Sequence, residues 1–154
     1  MTAPTESKPA GRANDAGYSG TPLAQKLGLR DGQIVAFVGL PAAVEHLASA
    51  RTFAAVERFD SWTADLGSRR FDLIHAFTTR RADLEIGHPL LGAAIKPAGA
   101  IWVSWPKRAA KVPTDITEDV IREICLPLGL VDVKVAAVDA TWSGLKLVWR
   151  VERR

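Results

Sequence analysis

The sequence predicts an α/β protein built on an open, doubly wound, mostly parallel sheet that ends in an antiparallel hairpin. Three observations carry this reading. The apolar runs QIVAFVG (33–39) and FDLIHAFTT (71–79) are nearly continuous, as in strands covered on both faces of a parallel sheet. Segments with helical spacing or helix punctuation separate these runs, so strands alternate with helices. The last two segments, VDVKVAAVD (131–139) and GLKLVWRVE (144–152), follow each other over the short connection ATWS, as a hairpin does.

The elements follow in chain order. TPLAQKLGL (21–29) reads as a short amphipathic helix, with Thr21 as cap, Pro22 at the first helical position and Gly28 as the stop. Residues 33–39 form the first strand and PAAVEHLASA (41–50) a helix. TFAAVERF (52–59) reads as a short second strand and 71–79 as a buried one. RADLEIGHPLLGAAI (81–95) is helical, with a break expected at Gly87 and Pro89. KPAG is a turn before the strand AIWVSW (100–105). In PTDITEDVIREICLPLGL (113–130), Ile116, Val120, Ile121 and Ile124 share a helical face. Asp115 with Glu118 resembles a capping box there, and Thr117 is the alternative cap. In the final strand Leu145, Leu147, Trp149 and Val151 share one face.

With 154 residues the chain has the size of one domain. Its first sixteen residues hold no large apolar side chain after Met1, so 1–16 is expected to be a disordered tail ahead of a single domain at 17–154. The tail lacks the apolar core of a secretory signal, and no run is long enough to span a bilayer, so no membrane partner is expected. The single cysteine, Cys125, permits no internal disulfide, and a cytoplasmic location is expected. Net charge is +3, gathered unevenly: residues 78–112 carry six Lys or Arg against two acids. Such a surface favours anionic partners, or is simply a solvated face.

Topology indicates where a site would lie. In open α/β sheets, ligands sit outside the carboxyl ends of the strands. The turns expected at that rim bring Gly39, then Thr78, Thr79 and Arg80, then Trp105 and Lys107, then Thr141, Trp142 and Ser143. The first helix must run back to the start of the first strand, which places Tyr18, Ser19 and Thr21 at the same rim. Tyr18, Trp105 and Trp142 would form aromatic walls, with Arg80 and Lys107 as cations and the hydroxyls as polar contacts. The helix beginning near Asp115 would aim backbone N–H groups at an anion. The alternative is structural: the tryptophans pack a satellite core and the cations are solvated.

Several chemistries lack their residues. Of the three histidines, His75 belongs to a buried strand and reads as a core residue. No spacing suggests a metal, no nucleophile elbow or phosphate-binding loop occurs, and no acid/base pair stands out, so no catalytic residue is assigned. The first-strand turn, VGLPAAV, has Gly39 alone, followed by Pro41 and Ala43. A dinucleotide or S-adenosylmethionine site there needs closely spaced glycines. Glu57 and Asp60 lie near the spacing of a ribose-binding acid, or are surface acids.

The segment order resembles the S-adenosylmethionine-dependent methyltransferase fold, a Rossmann-like plan. Four strings, GYSGTPLAQKLGL, WVSWPK, PTDITEDVIREICLPLGLVDVKV and VDATWSGLKLV, resemble a bacterial domain-of-unknown-function family. That resemblance covers nearly everything after residue 16 and brings no activity with it. The methyltransferase resemblance implies S-adenosylmethionine as cofactor. The sequence departs from it at the glycine loop and at the acid expected near the end of the first strand, where Phe37 stands.

Three readings of function follow. The first is a non-catalytic Rossmann-like module that binds a small anionic ligand or a protein partner at the rim. The second is an S-adenosylmethionine-dependent methyltransferase with a degenerate loop. The third is nucleic-acid binding through Trp105, Lys107, Arg108 and Lys111. The half-exposed final hairpin would offer an edge for a homo-oligomer.

Overall fold

A computed structural model describes residues 22–154 of the protein. The expected tail, and Tyr18, Ser19 and Thr21 of the expected rim, lie outside the described residues. The sheet has six strands: β1 (Ile34–Val38), β2 (Ala55–Phe59), β3 (Phe71–Phe77), β4 (Ile95–Pro106), β5 (Leu130–Ala137) and β6 (Trp142–Trp149). Their spatial order is β2-β1-β3-β4-β6-β5. The first four pair in parallel, and β6 runs antiparallel to both β4 and β5. β5 is therefore parallel to the first four, and the turn after it joins their carboxyl ends.

Alternation along the strands divides the core between the two faces. Ala36, Val38, Ile74 and Val103 face one side, covered by the helices α2 (Arg81–Ala94) and α3 (Glu118–Cys125) and by Trp62 and Leu66 of the β2–β3 connection. Val35, Phe37, Leu73 and Trp102 face the other, covered by α1 (Leu23–Lys26) and by the segment Ala42–Ser49. Burial of both faces is the doubly wound arrangement expected from the continuous apolar runs.

Local punctuation explains the ends of α1. Pro22 is its cap (ψ 142°) and not, as expected, its first helical residue. Gly28 takes φ +77° and donates to Gln25 O while Leu29 N–H reaches Ala24 O, the paired bonds of a Schellman stop.

Five further expectations are corrected. Residues 42–49 form 3₁₀ turns kinked at Val44, not an α-helix. Only Val44 and Leu47 are buried there, a spacing of three that suits the tighter turn. The break at Gly87 and Pro89 does not occur, and α2 runs through both. His88 Nδ1 lies 2.9 Å from Leu84 O and 3.1 Å from Glu85 O, so the imidazole serves the carbonyl that Pro89 leaves without a donor. A side chain at Gly87 would meet Trp62, so the glycine lets α2 pack closely on the β2–β3 connection.

KPAG is not a turn. It lies inside β4, where pairing jumps from Phe71–Ile95 to Leu73–Ala100, and the extra residues bulge out. The helix read over 113–130 starts only at Glu118, and its cap is Thr117, whose Oγ1 accepts from Val120 N–H at 3.2 Å. Val151 leaves the apolar face of β6 and stands three-quarters exposed in a closing 3₁₀ turn.

Candidate functional site

The carboxyl ends of β1, β3, β4 and β5 form one rim, tied by backbone hydrogen bonds. Gly39 N–H donates to Phe59 O at 2.8 Å, Thr78 N–H to Ser104 O at 3.1 Å, and Lys107 N–H to Thr141 O at 2.8 Å. Asp139 Oδ1 accepts from Thr141 and Trp142 N–H, which closes the β5–β6 turn.

Within this rim the candidate residues separate. β4 and β6 pair Trp105 with Ser143 and Pro106 with Trp142, and directly paired residues share a face. Trp105 and Ser143 thus belong to the α3 side. Trp142 belongs to the α1 side, where it meets the Phe77 ring edge-on with centroids 5.3 Å apart. The two tryptophans do not wall one mouth.

Other candidates are committed to holding loops. The Thr78 hydroxyl donates to Asp83 at 2.6 Å and accepts from Arg80 N–H, and Arg80 pairs with Asp83. That pairing with Arg80 and Thr78 holds the Asp83 carboxyl below its usual range. Thr79 offers its carbonyl to the Thr114 hydroxyl. Asp115 caps no helix of its own. Its Oδ1 accepts Arg81 N–H at 2.6 Å, satisfying a free donor at the start of α2. The anion-facing helix start expected near Asp115 is displaced to Glu118, whose carboxylate pairs with Arg122.

Gly39 also serves packing. It has φ +65°, and a Cβ there would lie 2.8 Å from Phe77 O. Trp62, which sequence reasoning missed, is 4% exposed and donates from Nε1 to that same oxygen at 2.9 Å. The turn after β1 therefore leaves no hollow against β3 at Gly39, and Pro41 contributes no N–H donor to it. The residues at this switch point do not fit the glycine cradle of a nucleotide cofactor. Of the two acids noted there, Glu57 pairs with Arg70, while Asp60 is exposed directly after β2.

What the rim does open is a cleft of about 630 Å³ between the end of β4 and the start of α3. Its lining includes Trp105, Lys107, Arg108, Lys111, Thr117 and Ser143. The 3₁₀ turn Arg108–Ala110 and Lys111, with φ +57°, bend the chain around this opening. Among the described residues, the Lys107, Arg108 and Lys111 side chains have no hydrogen bond or ion pair. Glu118 also lines the cleft but is engaged by Arg122.

Trp105 is 7% exposed, and its indole N–H has no acceptor within the described chain. Trp62, Trp102 and Trp149 each donate to a carbonyl, of Phe77, Leu27 and Gly92 respectively. The half-buried Trp142 indole likewise has no acceptor within the described chain, but buried indole N–H groups normally find a partner, so Trp105 is the buried exception. Arg108 and Lys111, which the rim argument omitted, are signalled by the spacing K-R-x-x-K directly after a strand.

Solved structures share the fold of the chain. A methyltransferase from Aquifex aeolicus described as S-adenosylmethionine-dependent superposes with TM-score 0.63 at 16% identity, over 81% of this chain and 86% of that one. The fold is methyltransferase-like. A TehB-like S-adenosylmethionine-dependent methyltransferase from Corynebacterium glutamicum gives TM-score 0.59 at 10% identity, over 83% and 85% of the two chains. Phosphoethanolamine N-methyltransferase 2 of Haemonchus contortus, solved with S-adenosyl-L-methionine, gives 0.61 at 11% identity; the match covers 82% of this chain and 51% of that protein. At such identities the likeness concerns the fold alone. No protein-family model matches the chain, and no curated protein matches it. Among the described residues there is no cluster of His, Cys, Asp or Glu able to hold a metal, and no helix long and apolar enough to cross a membrane.

Proposed function

We propose that the protein is a non-catalytic module on a methyltransferase-like fold that binds a small anionic ligand in the cleft between β4 and α3. The observation that carries this reading is the buried Trp105 indole N–H beside three cations, all four without a partner among the described residues. An anion there would accept from the indole and neutralise Lys107, Arg108 and Lys111. Charge-assisted hydrogen bonds of this kind are about twice as strong as neutral ones. A cleft of about 630 Å³ suits a small molecule, since such sites span roughly 300–1,000 Å³. The nucleic-acid reading loses its stacking platform, because the Trp105 ring is buried.

The test is a titration with pyrophosphate and citrate followed by amide and indole NMR. The expected result is a saturable shift of the Trp105 indole resonance that disappears in the variant Lys107→Gln, Arg108→Gln, Lys111→Gln. If neither anion moves that resonance, the reading fails.

The second reading, an S-adenosylmethionine-dependent methyltransferase, is supported by the fold of the solved relatives and by Asp60. This acid directly follows β2, about twenty residues beyond the β1 turn, where a ribose-binding carboxylate stands in dinucleotide folds. Bound S-adenosylmethionine would stabilise the protein by about 2.7 kcal/mol at a hundredfold excess over Kd. Loss of that stabilisation in Asp60→Ala would favour this reading over the first.

A further inference from the structure

At the opposite end of the strands, where β4 begins and β6 ends, lies a second cavity of about 250 Å³. Its lining includes Arg69, Arg153, Arg154, Ser68 and Trp149. Three arginines and a hydroxyl therefore surround one opening, and no carboxylate side chain lines it. The nearest acid in sequence, Glu152, forms no ion pair among the described residues.

Two of the arginines are held through their side chains and the third, Arg69, through its backbone. Arg153 Nη2 donates to Leu128 O at 2.9 Å, and its guanidinium lies 6.0 Å from the centroid of the Trp149 ring. Arg154 Nε donates to Trp149 O at 3.0 Å, which leaves its terminal nitrogens free. The Trp149 indole is itself fixed by a 3.0 Å bond to Gly92 O. A side chain at Gly92 would collide with that ring, so α2 approaches β6 closely at this point.

Arg69 is the informative member. Its φ is +51°, a left-handed conformation that costs a non-glycine residue about 1–2 kcal/mol. Arg69 and Arg70 N–H groups bond to Ala93 O and Ala94 O at 2.9 and 2.8 Å, which pins the strained turn onto the end of α2. The Arg69 side chain has no partner among the described residues. A strained backbone at a residue whose side chain has no partner among the described residues points to a use outside the fold.

We propose that this cavity is a binding site for the phosphate group of a small phosphorylated molecule. Planar guanidinium forks match phosphate oxygens in pairs, which a single lysine cannot do. The volume holds a phosphate and a few further atoms, and lies below the range of larger ligand pockets. The site is independent of the cleft at the carboxyl-end rim.

The proposal is tested by titrating the protein with inorganic phosphate and, separately, with glycerol phosphate, reading the Trp149 indole resonance at near-physiological ionic strength. A saturable shift is expected with one or both. Tighter binding of the ester assigns the site to a phosphorylated molecule, and equal binding assigns it to the phosphate group alone. Arg69→Gly should weaken binding at least tenfold, the loss of one charge-assisted contact, while the thermal midpoint holds or rises because glycine relieves the turn. Arg154→Gln should weaken binding without any backbone change. The variant lacking the three rim cations should bind as the wild type does. No saturable shift at Trp149, or equal responses from Arg69→Gly, Arg154→Gln and the wild type, would overturn the proposal.

Discussion

His75 Nε2 lies 2.7 Å from Ser104 Oγ, and both residues are buried between β3 and β4. The imidazole stacks on Phe77 with centroids 4.2 Å apart. Burial pushes its pKa down from 6.5 to about 3, so the ring stays neutral in the folded protein. The unfolded chain takes up a proton near pH 6.5, well before the folded one does. Stability from this residue is therefore complete above that pH and is lost as pH falls toward 3, by at most about 1.4 kcal/mol per pH unit. Urea unfolding at pH 7.5 and 5.5 should show the loss in the wild type. His75→Phe should flatten it over that interval, and a wild-type curve that is already flat would contradict the assignment.

Lys111 combines a left-handed backbone with a side chain at the cleft that has no partner among the described residues. Lys111→Gly should stabilise the protein by about 1 kcal/mol by relieving that conformation. The same change should weaken anion binding at Trp105. Thermal unfolding and NMR titration of one variant read both effects, and a loss of stability would show that the lysine side chain supports the fold.

Asp115 and Thr117 serve different helices. Asp115→Ala removes the acceptor for Arg81 N–H and should cost about 1 kcal/mol through the start of α2. Thr117→Ala removes the α3 cap and should cost a similar amount, about 0.5–2 kcal/mol. Hydrogen exchange separates them. Protection should fall in the first turn of α2 for the first variant and of α3 for the second.

Cys125 is buried on the inner side of α3, and burial pushes its thiol pKa up to about 12. The thiolate is the reactive species, so the native protein should resist a thiol reagent at pH 8 and react promptly only when unfolded in denaturant. Fast reaction of native protein would mean that α3 opens readily.

Much of the fold was legible because its signals are local. Continuous apolar runs marked β1 and β3, a capped amphipathic face marked α3, and the glycine at 28 marked the end of α1. Errors arose where a distant or lateral partner decided the outcome. Pro89 reads as a helix break, but the neighbouring His88 imidazole serves the carbonyl that the proline abandons. KPAG reads as a turn, but pairing with β3 draws it into a bulge. Asp115 reads as the cap of the helix that follows it, yet the free N–H it meets belongs to Arg81, thirty-four residues earlier.

The sequence alone determined the alternation of strands and helices, the parallel direction of the sheet and the rim where its loops converge, since apolar periodicity and short connections leave few ways to bury both faces. Tertiary structure alone decided which rim residues face each other. Cross-strand register sent Trp142 to one side of the sheet and Trp105 to the other, and helix-to-strand packing brought Arg69 beside Arg153 and Arg154. Side-chain facing depends on pairing across the sheet, and a one-residue change of register would reverse it.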